Sequence, residues 1–517
     1  MGERATDRLR RISLTEGEEA LVAFLVAANT HMGLGQTIRI AGGWVRDKLL
    51  GESTDDIDVT LDSMTGQRFV DGLRRYTEKH RRAGVGAAGE RLPPGGLGRG
   101  YLVQQNVERS KHLETAGVSL FGFKVEFVHL RSETYAEGSR VPLVEFGGPE
   151  TDARRRDLTI NALFWRLNTR RVEDLVGGIE DLERLRLRTP MEPVRTFIDD
   201  PLRVLRVMRF RSRFETSTID EATLSAMGER EVRRAYQGKV APERAAAEIV
   251  KLFAGSAPGP ALTALDEAGM APVVFGVEAL EDGELAVASA AAQHTADRLS
   301  GASPTDRAMT GLCVYLDVGL RSAGVPPERV GRTIERALKR IGIGKPERAM
   351  AHAIRHGSAA CLADAWNDSA IGELRLATRV PGNEREDVWR LAFAAASAEA
   401  RAREDRQGIG LGNRAACGVN ELERRLNETS ESMRDAPPLD PILGGDEIMR
   451  MFPGLNPRTG FIREVQDRLV RAQLRREVRT VAAAREFVEG CSSSIRSSYG
   501  SDTSERGAEG GGGGDRP

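Results

Sequence analysis

The chain has 517 residues, and its 75 Lys and Arg are matched by 76 Asp and Glu. This length allows two or more domains with sizeable cores. The balanced charge excludes recognition of nucleic acid through net basicity, so any RNA-binding cations must be concentrated on one surface. Aromatic residues make up 5% of the chain, which disfavours a module that binds RNA by base stacking.

Cysteine usage and hydropathy indicate the compartment. Four cysteines lie far apart without C-x-x-C spacing, namely Cys313, Cys361, Cys417 and Cys491. They predict neither a zinc site nor a disulfide framework. No apolar run has the length of a membrane span and no signal-peptide pattern is present, so we expect an intracellular protein without membrane contact, in the cytoplasm or alternatively in the mitochondrion or nucleus. The Arg-rich start is a candidate mitochondrial presequence, but Glu3 and Asp7 argue against it.

The first predicted helix follows residues 1–14, which we expect to be flexible. Thr15 and Glu18 have the spacing of a capping box, and apolar residues recur at helical spacing from Leu21 to Ala28. The pattern predicts an amphipathic helix packed beneath a sheet.

A strand, turn, helix and second strand are predicted between residues 38 and 58. The turn is Gly42-Gly43, and the helix is expected from Trp44 to Leu50. The glycines permit close approach of the backbone to a ligand, and the N–H groups at the helix start suit a triphosphate, beside which Arg46 adds a planar cation. An ordinary turn is the alternative.

Two carboxylates begin the second strand. Asp56 and Asp58 are two residues apart, and because strand side chains alternate, both project from the same face. Such a pair can share a hard divalent cation, and Mg²⁺ held jointly with substrate phosphates is the expected ion. A solvated sheet face is the alternative.

This stretch resembles the nucleotidyltransferase core of the DNA polymerase β superfamily. More closely, AGGWVRDKLLG followed by S-x-x-D-I-D is similar to the first motif of the class II tRNA nucleotidyltransferases, the CCA-adding enzymes, in their eukaryotic form. The resemblance implies that Asp56 and Asp58 are catalytic and bind the metal. It also implies that Asp47 and Ser53 belong to the nucleotide site.

The next segments are predicted to complete the sheet. A helix is expected at about 66–80, a flexible surface insertion at about 81–104, and a strand at 123–130. Glu126 on that strand is either a third carboxylate facing the metal pair or an exposed strand residue. Residues 131–149 correspond by resemblance to a mobile loop near the active site, and SRVP matches its S-R-x-P core.

A run of polar residues follows at RRDLTINALFW. Two adjacent arginines diverge on a strand or a helix, so one can reach a phosphate while the other binds a carboxylate. The run matches the family's second motif, R-R-D-x-T-x-N-A, in which Arg156 is implied to contact the nucleotide and Asn161 to hold the site together. The nucleotide-site residues assigned on this motif are Arg155, Arg156, Asp157 and Asn161.

The third motif, G-x-x-D-L, is matched at Gly178, Asp181 and Leu182. The double glycine at 177 and 178 is either a hinge between packed elements or an ordinary tight turn.

A basic helix is predicted from DDPLRVLRVMRFRSRF. Pro201 suits its first turn, Arg203, Arg206 and Arg209 recur every three residues on the face that Asp200 begins, and apolar residues occupy the opposite face. An Asp–Arg pair can read a base edge, because Asp accepts from the amino group that cytosine and adenine share while Arg donates to their acceptors. In the family, D-D-P-L-R is this amino-acid template. Asp200 and Arg203 should therefore select CTP and ATP, and Arg206 and Arg209 would line the triphosphate or the incoming 3′ end.

The rest of the chain is predicted to be helical. Arg244 and Glu248 are spaced to pair on one helix, and they match the family's fifth motif. Segments from 259 to 426 show no catalytic signature and suggest a body that holds RNA by shape and phosphate contacts. Residues 441–488 resemble the family's tRNA-binding tail, and the Ser-, Gly- and Arg-rich end from 491 onward is predicted to be disordered.

Together these features predict an α+β protein, with a nucleotidyltransferase head of mixed β-sheet and helices followed by an all-α neck, body and tail. The expected boundaries are 15–190 for the head, 191–258 for the neck, 259–432 for the body, 433–490 for linker and tail, and 491–517 for the disordered end. The implied activity is Mg²⁺-dependent, template-independent addition of C, C and A to the 3′ end of tRNA from CTP and ATP. The alternatives are a poly(A) polymerase, a partial CC- or A-adding enzyme, and a non-catalytic tRNA-binding protein.

Overall fold

The computed structural model describes residues 12–97, 101–103, 115–135, 142–280, 285–362, 388–406, 441–456, 460–474 and 477–499. The chain divides into two units. The first comprises Met1–Ser289, Ser322–Val325 and Arg336–Ile343, and the second comprises Ala290–Arg321, Pro326–Glu335 and Gly344–Pro517. The S-R-x-P core of the predicted mobile loop lies largely outside the described residues.

Helix α1, Glu16–His31, begins with the predicted capping box. The Thr15 hydroxyl accepts from the Glu18 N–H, and the Glu18 carboxylate accepts from the Thr15 N–H at 2.7 Å. The same carboxylate accepts from Lys48 Nζ at 2.7 Å and from the indole N–H of Trp44 at 3.2 Å. Glu18 therefore both caps α1 and fixes it to the helix that follows the glycine turn.

The core of the first unit is a seven-stranded mixed sheet. The strands are β1 Arg39–Ala41, β2 Asp56–Leu61, β3 Tyr101–Val103, β4 Thr115–Leu120, β5 Phe123–His129, β6 Arg131–Tyr135, β7 Pro142–Phe146, β8 Phe164–Arg166, β9 Arg171–Glu173, β10 Arg186–Leu187 and β11 Thr218–Ile219. The order in the large sheet is β3-β4-β5-β2-β1-β8-β9, in which β2 and β5 are parallel and the other neighbours are antiparallel. Strands β6 and β7 form an antiparallel ribbon, and β10 pairs in parallel with β11.

The remaining helices of the head and neck pack on this sheet or follow it. They are α2 Gly43–Leu49, α3 Gly66–His80, α4 Pro149–Arg154, α5 Gly178–Glu183, α6 Pro193–Asp199, α7 Leu202–Arg213, α8 Glu221–Met227, α9 Arg230–Lys239, α10 Pro242–Phe253, α11 Pro258–Glu267 and α12 Ala271–Phe275. Helix α3 has the predicted bounds. Helix α2 begins one residue earlier than predicted, at Gly43. Helix α7 packs on both α10 and α11, so residues beyond 258 continue the packing of the predicted neck.

Part of the predicted insertion contacts α3. The Tyr76 hydroxyl donates to the Glu90 carboxylate and accepts from the Ala87 N–H at 2.7 Å. Burial and the hydrogen bond to Glu90 raise the pKa of Tyr76 to about 12. These contacts connect Ala87 and Glu90 to α3, and the flexibility of the insertion stays a prediction.

The helices that follow are α13 Leu285–Arg298, α14 Pro304–Ser322, α15 Pro327–Arg340, α16 Lys345–Leu362, α17 Val388–Arg406, α18 Gly445–Met451, α19 Phe461–Leu474, α20 Val481–Gly490 and α21 Ser492–Tyr499. Helices α18 to α21 enclose a small core that includes Phe452, Phe461 and Ile495. The predicted disorder from 491 onward is wrong for α21, since Ile495 is buried in that core. The described helices include none that is long and apolar enough to cross a membrane.

The predicted α+β class is confirmed, with the mixed sheet in the N-terminal part of the chain and helices elsewhere. The sheet order brings β2, which carries the paired carboxylates, to the centre between β5 and β1.

Candidate active site

The glycine turn is a position of close backbone approach. Gly42 has a φ of 73°, in the left-handed region that favours glycine. A Cβ at this position would lie 2.9 Å from Nη1 of Arg156. The turn therefore needs glycine both for its conformation and to admit an arginine from the second motif.

The paired carboxylates lie on one face of β2, as predicted. In the β2–β5 register Asp56 is opposite Lys124 and Asp58 is opposite Glu126. Asp58 is exposed to the cleft, but the surrounding protein still desolvates its carboxylate and raises its pKa. The charges of Glu126 and Asp56 raise the pKa further, while Arg156 opposes the shift. This edge of the sheet has a surplus of negative charge that a cation would relieve.

The donor chemistry at this edge fits Mg²⁺, which prefers carboxylate and phosphate oxygens. Asp56 and Asp58 are the residues that would hold the ion. Within the described ranges no group of three His, Cys, Asp or Glu residues is arranged to hold a metal. Glu126 lies beside Asp58 in the strand register, and its assignment as a third metal ligand stays a prediction.

The two arginines of the second motif bind the same carboxylate. Asp152 is buried and forms ion pairs with Arg155 and, at 2.9 Å, with Arg156. Arg155 also pairs with Glu133 at 3.1 Å. The two arginines share Asp152, because its two oxygens face both side chains from the preceding helical turn, and only Arg155 also contacts Glu133. A phosphate contact by Arg156 stays a prediction.

Asp157 and Asn161 connect the second motif to the first. The Asn161 amide donates to Asp157 at 3.0 Å, and its oxygen accepts from Arg46 Nη1. Arg46 is buried, pairs with Asp47 at 2.7 Å, and lies over the Phe210 ring at 5.0 Å. Desolvation by burial lowers the pKa of Arg46, although Asp47 opposes the shift. Asn161 thus has the bracing contacts that the resemblance implied.

The side chains of the predicted template residues have other partners in this structure, although the Arg203 N–H donates to the Asp200 carbonyl oxygen at 3.0 Å. Arg203 is buried and donates to the backbone carbonyls of Arg155 at 2.6 Å and Thr196 at 3.3 Å. Asp200 accepts from the Leu202 N–H at 3.3 Å and from Arg244 at 3.1 Å. Both side chains line the cleft, and each has its orientation fixed by a neighbouring element.

Two further arginines of α7 bind buried carboxylates. Arg206 pairs with Asp157 at 2.6 Å and lies 3.7 Å from Glu248, while Arg209 pairs with Glu248 at 2.9 Å. The predicted Arg244–Glu248 pair on α10 is wrong, because Arg244 reaches Asp200 and Glu248 reaches the arginines of α7. Arg206 holds the pKa of the buried Asp157 carboxyl far below its usual range despite desolvation.

The third motif is closely packed. The Asp181 carboxylate is buried, accepts from the Thr159 hydroxyl at 2.6 Å, and pairs with Arg186 and Arg188 at 2.6 and 2.8 Å. A Cβ on Gly178 would lie 2.3 Å from the Thr159 carbonyl oxygen. The glycine therefore permits tight packing of α5 on the second motif, and a hinge at this point stays a prediction.

These elements enclose a cleft of about 1010 Å³ within the first unit. Ten cationic and five acidic side chains line it, which concentrates positive charge in a chain whose formal net charge is −1. The predicted residues on its lining are Gly42, Gly43, Arg46, Asp58, Glu126, Arg155, Arg156, Asp157, Asn161, Asp200, Arg203, Arg206 and Arg209. Asp56 lies beside this lining on β2, Asp47 lies behind Arg46, and Ser53 is exposed on the loop before β2.

Sequence reasoning missed several cleft residues. Arg213 pairs with Asp47 at 3.0 Å and also with Glu52, and Lys251 lines the cleft two helical turns after Arg244. The seven-residue spacing on α10 could have revealed Lys251, because residues that far apart share a helix face. The cleft contact of Arg131 has no comparable sequence signal, since it depends on the β6–β7 ribbon.

Comparison with known proteins agrees with this geometry. Residues 38–92 and 98–188 match the family model of the Poly A polymerase head domain. The mitochondrial CCA tRNA nucleotidyltransferase of Saccharomyces cerevisiae is 45% identical over 240 residues, which is 46% of this chain and 42% of that protein. The corresponding protein of Candida glabrata is 41% identical over 273 residues, covering 51% of this chain and 49% of that protein. The matches thus span about half the length of these curated relatives or less.

A solved structure shares the fold over most of the chain. The Bacillus stearothermophilus CCA-adding enzyme in complex with CTP has a TM-score of 0.58 at 18% identity, covering 94% of this chain and 100% of that chain.

The segment that carries the sheet and the paired strand carboxylates is therefore similar to the Poly A polymerase head domain. The first motif and the yeast relatives add a closer similarity: over about half of its length the chain is similar to the CCA tRNA nucleotidyltransferases of these yeasts.

Proposed function

We propose that this protein adds C, C and A to the 3′ end of tRNA, using CTP and ATP and releasing pyrophosphate. The observation that carries the proposal is the cleft itself, in which Asp58 on β2 lies on the same lining as Asp200 and Arg203 of the neck. The proposal is further supported by the similarity of about half of the chain to proteins that are named as CCA tRNA nucleotidyltransferases.

The cleft side chains supply binding and orientation in this reaction. Arg156, Arg206 and Arg209 present fixed positive charge to a triphosphate, since their carboxylate partners hold them in position. Such preorganised charge stabilises the negative charge that develops during phosphoryl transfer. Mg²⁺ held by Asp56 and Asp58 would lower the pKa of the terminal 3′-hydroxyl and stabilise the α-phosphate that this hydroxyl attacks.

Base selection would use the free hydrogen-bonding capacity of Asp200 and Arg203. An ionised carboxylate has about four acceptor positions, so Asp200 can retain Arg244 and still accept from the amino group of cytosine or adenine. Guanine and uracil present the opposite pattern on that edge. Arg244 would act as a positioning residue, because it fixes the carboxylate that reads the base.

The compartment is part of the proposal. The relatives from Saccharomyces cerevisiae and Candida glabrata are named as mitochondrial, which supports a mitochondrial site of action. Imaging of the full chain with a C-terminal fluorescent tag tests this. Signal confined to the cytoplasm or nucleus would remove the mitochondrial assignment without affecting the activity.

The test of activity is incorporation on one tRNA transcript that lacks its CCA end, with each labelled nucleoside triphosphate offered alone and then CTP with ATP. We expect CTP alone to add two residues and the mixture to complete CCA. Long tails from ATP alone would identify a poly(A) polymerase. Addition of only CC or only A with the mixture would identify a partial enzyme.

The matched control is Asp56→Ala combined with Asp58→Ala. We expect this variant to incorporate nothing while it binds tRNA as tightly as the wild type, because the substitutions remove the metal ligands and leave the cationic cleft. Retained incorporation would contradict the metal assignment. A wild type that binds tRNA but incorporates nothing would identify a binding platform instead.

A further inference from the structure

A lysine lies among the carboxylates at the metal edge of the sheet. Strands β2 and β5 are parallel, with Asp56 opposite Lys124 and Asp58 opposite Glu126. Residues two apart on a strand project from one face, so these four side chains occupy the same face of two hydrogen-bonded strands. We name this set the carboxylate–lysine square.

The lysine contacts both of its acidic neighbours. Lys124 Nζ is 3.7 Å from Asp56 Oδ1 and 3.6 Å from Glu126 Oε1. Its charge also acts on Asp58, where it partly opposes the repulsion from Glu126 and Asp56. One ammonium group therefore partly offsets the electrostatic repulsion among all three carboxylates.

The lysine is not fixed in this position. Its side chain is 56% exposed, the distances are long for ion pairs, and Asp56 is 77% exposed. Lysine has a flexible four-carbon stem, and exposed pairs of this kind contribute little to stability. The ammonium can therefore move away from Asp56 without disturbing the fold.

We propose that Lys124 controls when the divalent cation binds. In the enzyme without nucleotide, the Lys124 ammonium group repels the divalent cation and so weakens its binding to Asp56 and Asp58. When the ion arrives with a triphosphate, the phosphates bring additional negative charge, so the repulsion from Lys124 is compensated. Lys124 thus favours uptake of the cation together with the nucleotide over uptake of the cation alone.

This inference rests on the proposed function, because it takes Asp56 and Asp58 as the metal ligands. Lys124 is on β5, outside the sequence motifs described above, and its charge has an effect on cation binding that can be measured separately from activity. Removing the lysine charge should tighten cation binding, whereas removing a structural residue would weaken it or leave it unchanged.

The experiment is a titration of the full chain without nucleotide by Mn²⁺, with the free ion measured by electron paramagnetic resonance and Mg²⁺ added as a competitor. We expect Lys124→Gln to lower the Kd for Mn²⁺ by about 3- to 10-fold, because the removed unit charge lies beside the proposed ligands and acts on the ion through a screened, high-dielectric medium. The gain should shrink at high salt, and it should also shrink when CTP is bound.

Two matched variants complete the design. Lys124→Arg keeps the charge and should bind Mn²⁺ like the wild type, and Lys345→Gln removes an exposed lysine elsewhere on the chain and should also leave binding unchanged. Equal or weaker Mn²⁺ binding by Lys124→Gln would overturn the inference while leaving the proposed function intact. Unchanged Mn²⁺ binding by the Asp56→Ala, Asp58→Ala double variant would instead overturn the metal assignment, and the inference with it.

Discussion

Carboxylates serve opposite purposes on the two sides of the cleft. On the sheet side, Asp56 and Asp58 are exposed, and the carboxylate–lysine square has three acids for one lysine. On the helical side, Asp152, Asp157 and Glu248 are buried, and each pairs with one or two arginines. The first arrangement has an excess of negative charge, which suits the proposed metal site. The second uses its negative charge in ion pairs that fix the orientation of arginine side chains, which suits the proposed phosphate contacts.

The pKa shifts follow the same division. Desolvation and neighbouring acids raise the pKa of Asp58. Arginine partners lower the pKa of Asp152 and Asp157 although both carboxyls are more deeply buried. The direction of each pKa shift is therefore decided by direct arginine ion pairs at Asp152 and Asp157, and by desolvation and neighbouring acids at Asp58. Burial alone would predict the opposite order.

The largest expected change in folding stability concerns Asp157 on the helical side of the cleft. Asp157→Ala should destabilise the protein by about 3–5 kcal/mol, because it leaves Arg206 without its buried partner and Asn161 without its acceptor. Urea unfolding followed by tryptophan fluorescence measures the change. Asp62→Ala, which removes a more exposed partner of Arg39, is the control and should cost much less. Equal losses from the two variants would remove the distinction between scaffold and surface carboxylates.

Acid should remove the contribution of the same side chain. The pKa of Asp157 is lowered in the folded protein, so its stabilising effect is complete above the unfolded value of about 3.9 and declines as pH falls below about 4 towards the folded value. The difference in unfolding free energy between wild type and Asp157→Asn should therefore be largest near pH 7 and smaller at pH 3. Urea titrations at the two pH values measure it. A difference that grows in acid would contradict the lowered pKa.

A smaller effect, on the KM for CTP, is expected at Arg213, which connects the helical side of the cleft to the glycine turn. Arg213 at the end of α7 pairs with Asp47, which orients Arg46 behind the glycine turn. Arg213→Met should raise the KM for CTP by about 5-fold, equivalent to about 1 kcal/mol, with little change in kcat, because it loosens ground-state binding and leaves the carboxylates intact. Arg211→Met changes the same helix at a residue off the cleft lining and is the control. An unchanged KM for the Arg213 variant would exclude this coupling.

The sequence predicted the elements whose residues act through local spacing. The capping box at Thr15, the helix at 66–80 and the shared face of Asp56 and Asp58 depend on periods of 3.6 and 2 residues, and the structure has all three. Ion-pair partners were predicted poorly. Arg244 pairs with Asp200, 44 residues away, because α7 packs on α10, and no spacing within α10 contains that information.

The smallest expected change in folding stability concerns Asp58 on the sheet side of the cleft. Because the pKa of Asp58 is raised in the folded protein, its charged form destabilises the fold at neutral pH, and this cost disappears below about pH 4, where the carboxyl is protonated in both states. Asp58→Asn should therefore stabilise the protein at pH 7, by less than about 1 kcal/mol because the side chain is exposed, while it abolishes incorporation. The gain should vanish at pH 4. Thermal unfolding at both pH values measures the change in Tm. The Asp157→Asn variant, measured in parallel, should have a lower Tm at pH 7, whereas Asp58→Asn should have a higher one. A lower Tm for Asp58→Asn at pH 7 would mean that this carboxylate, like Asp157, stabilises the fold rather than being held there at a cost to stability.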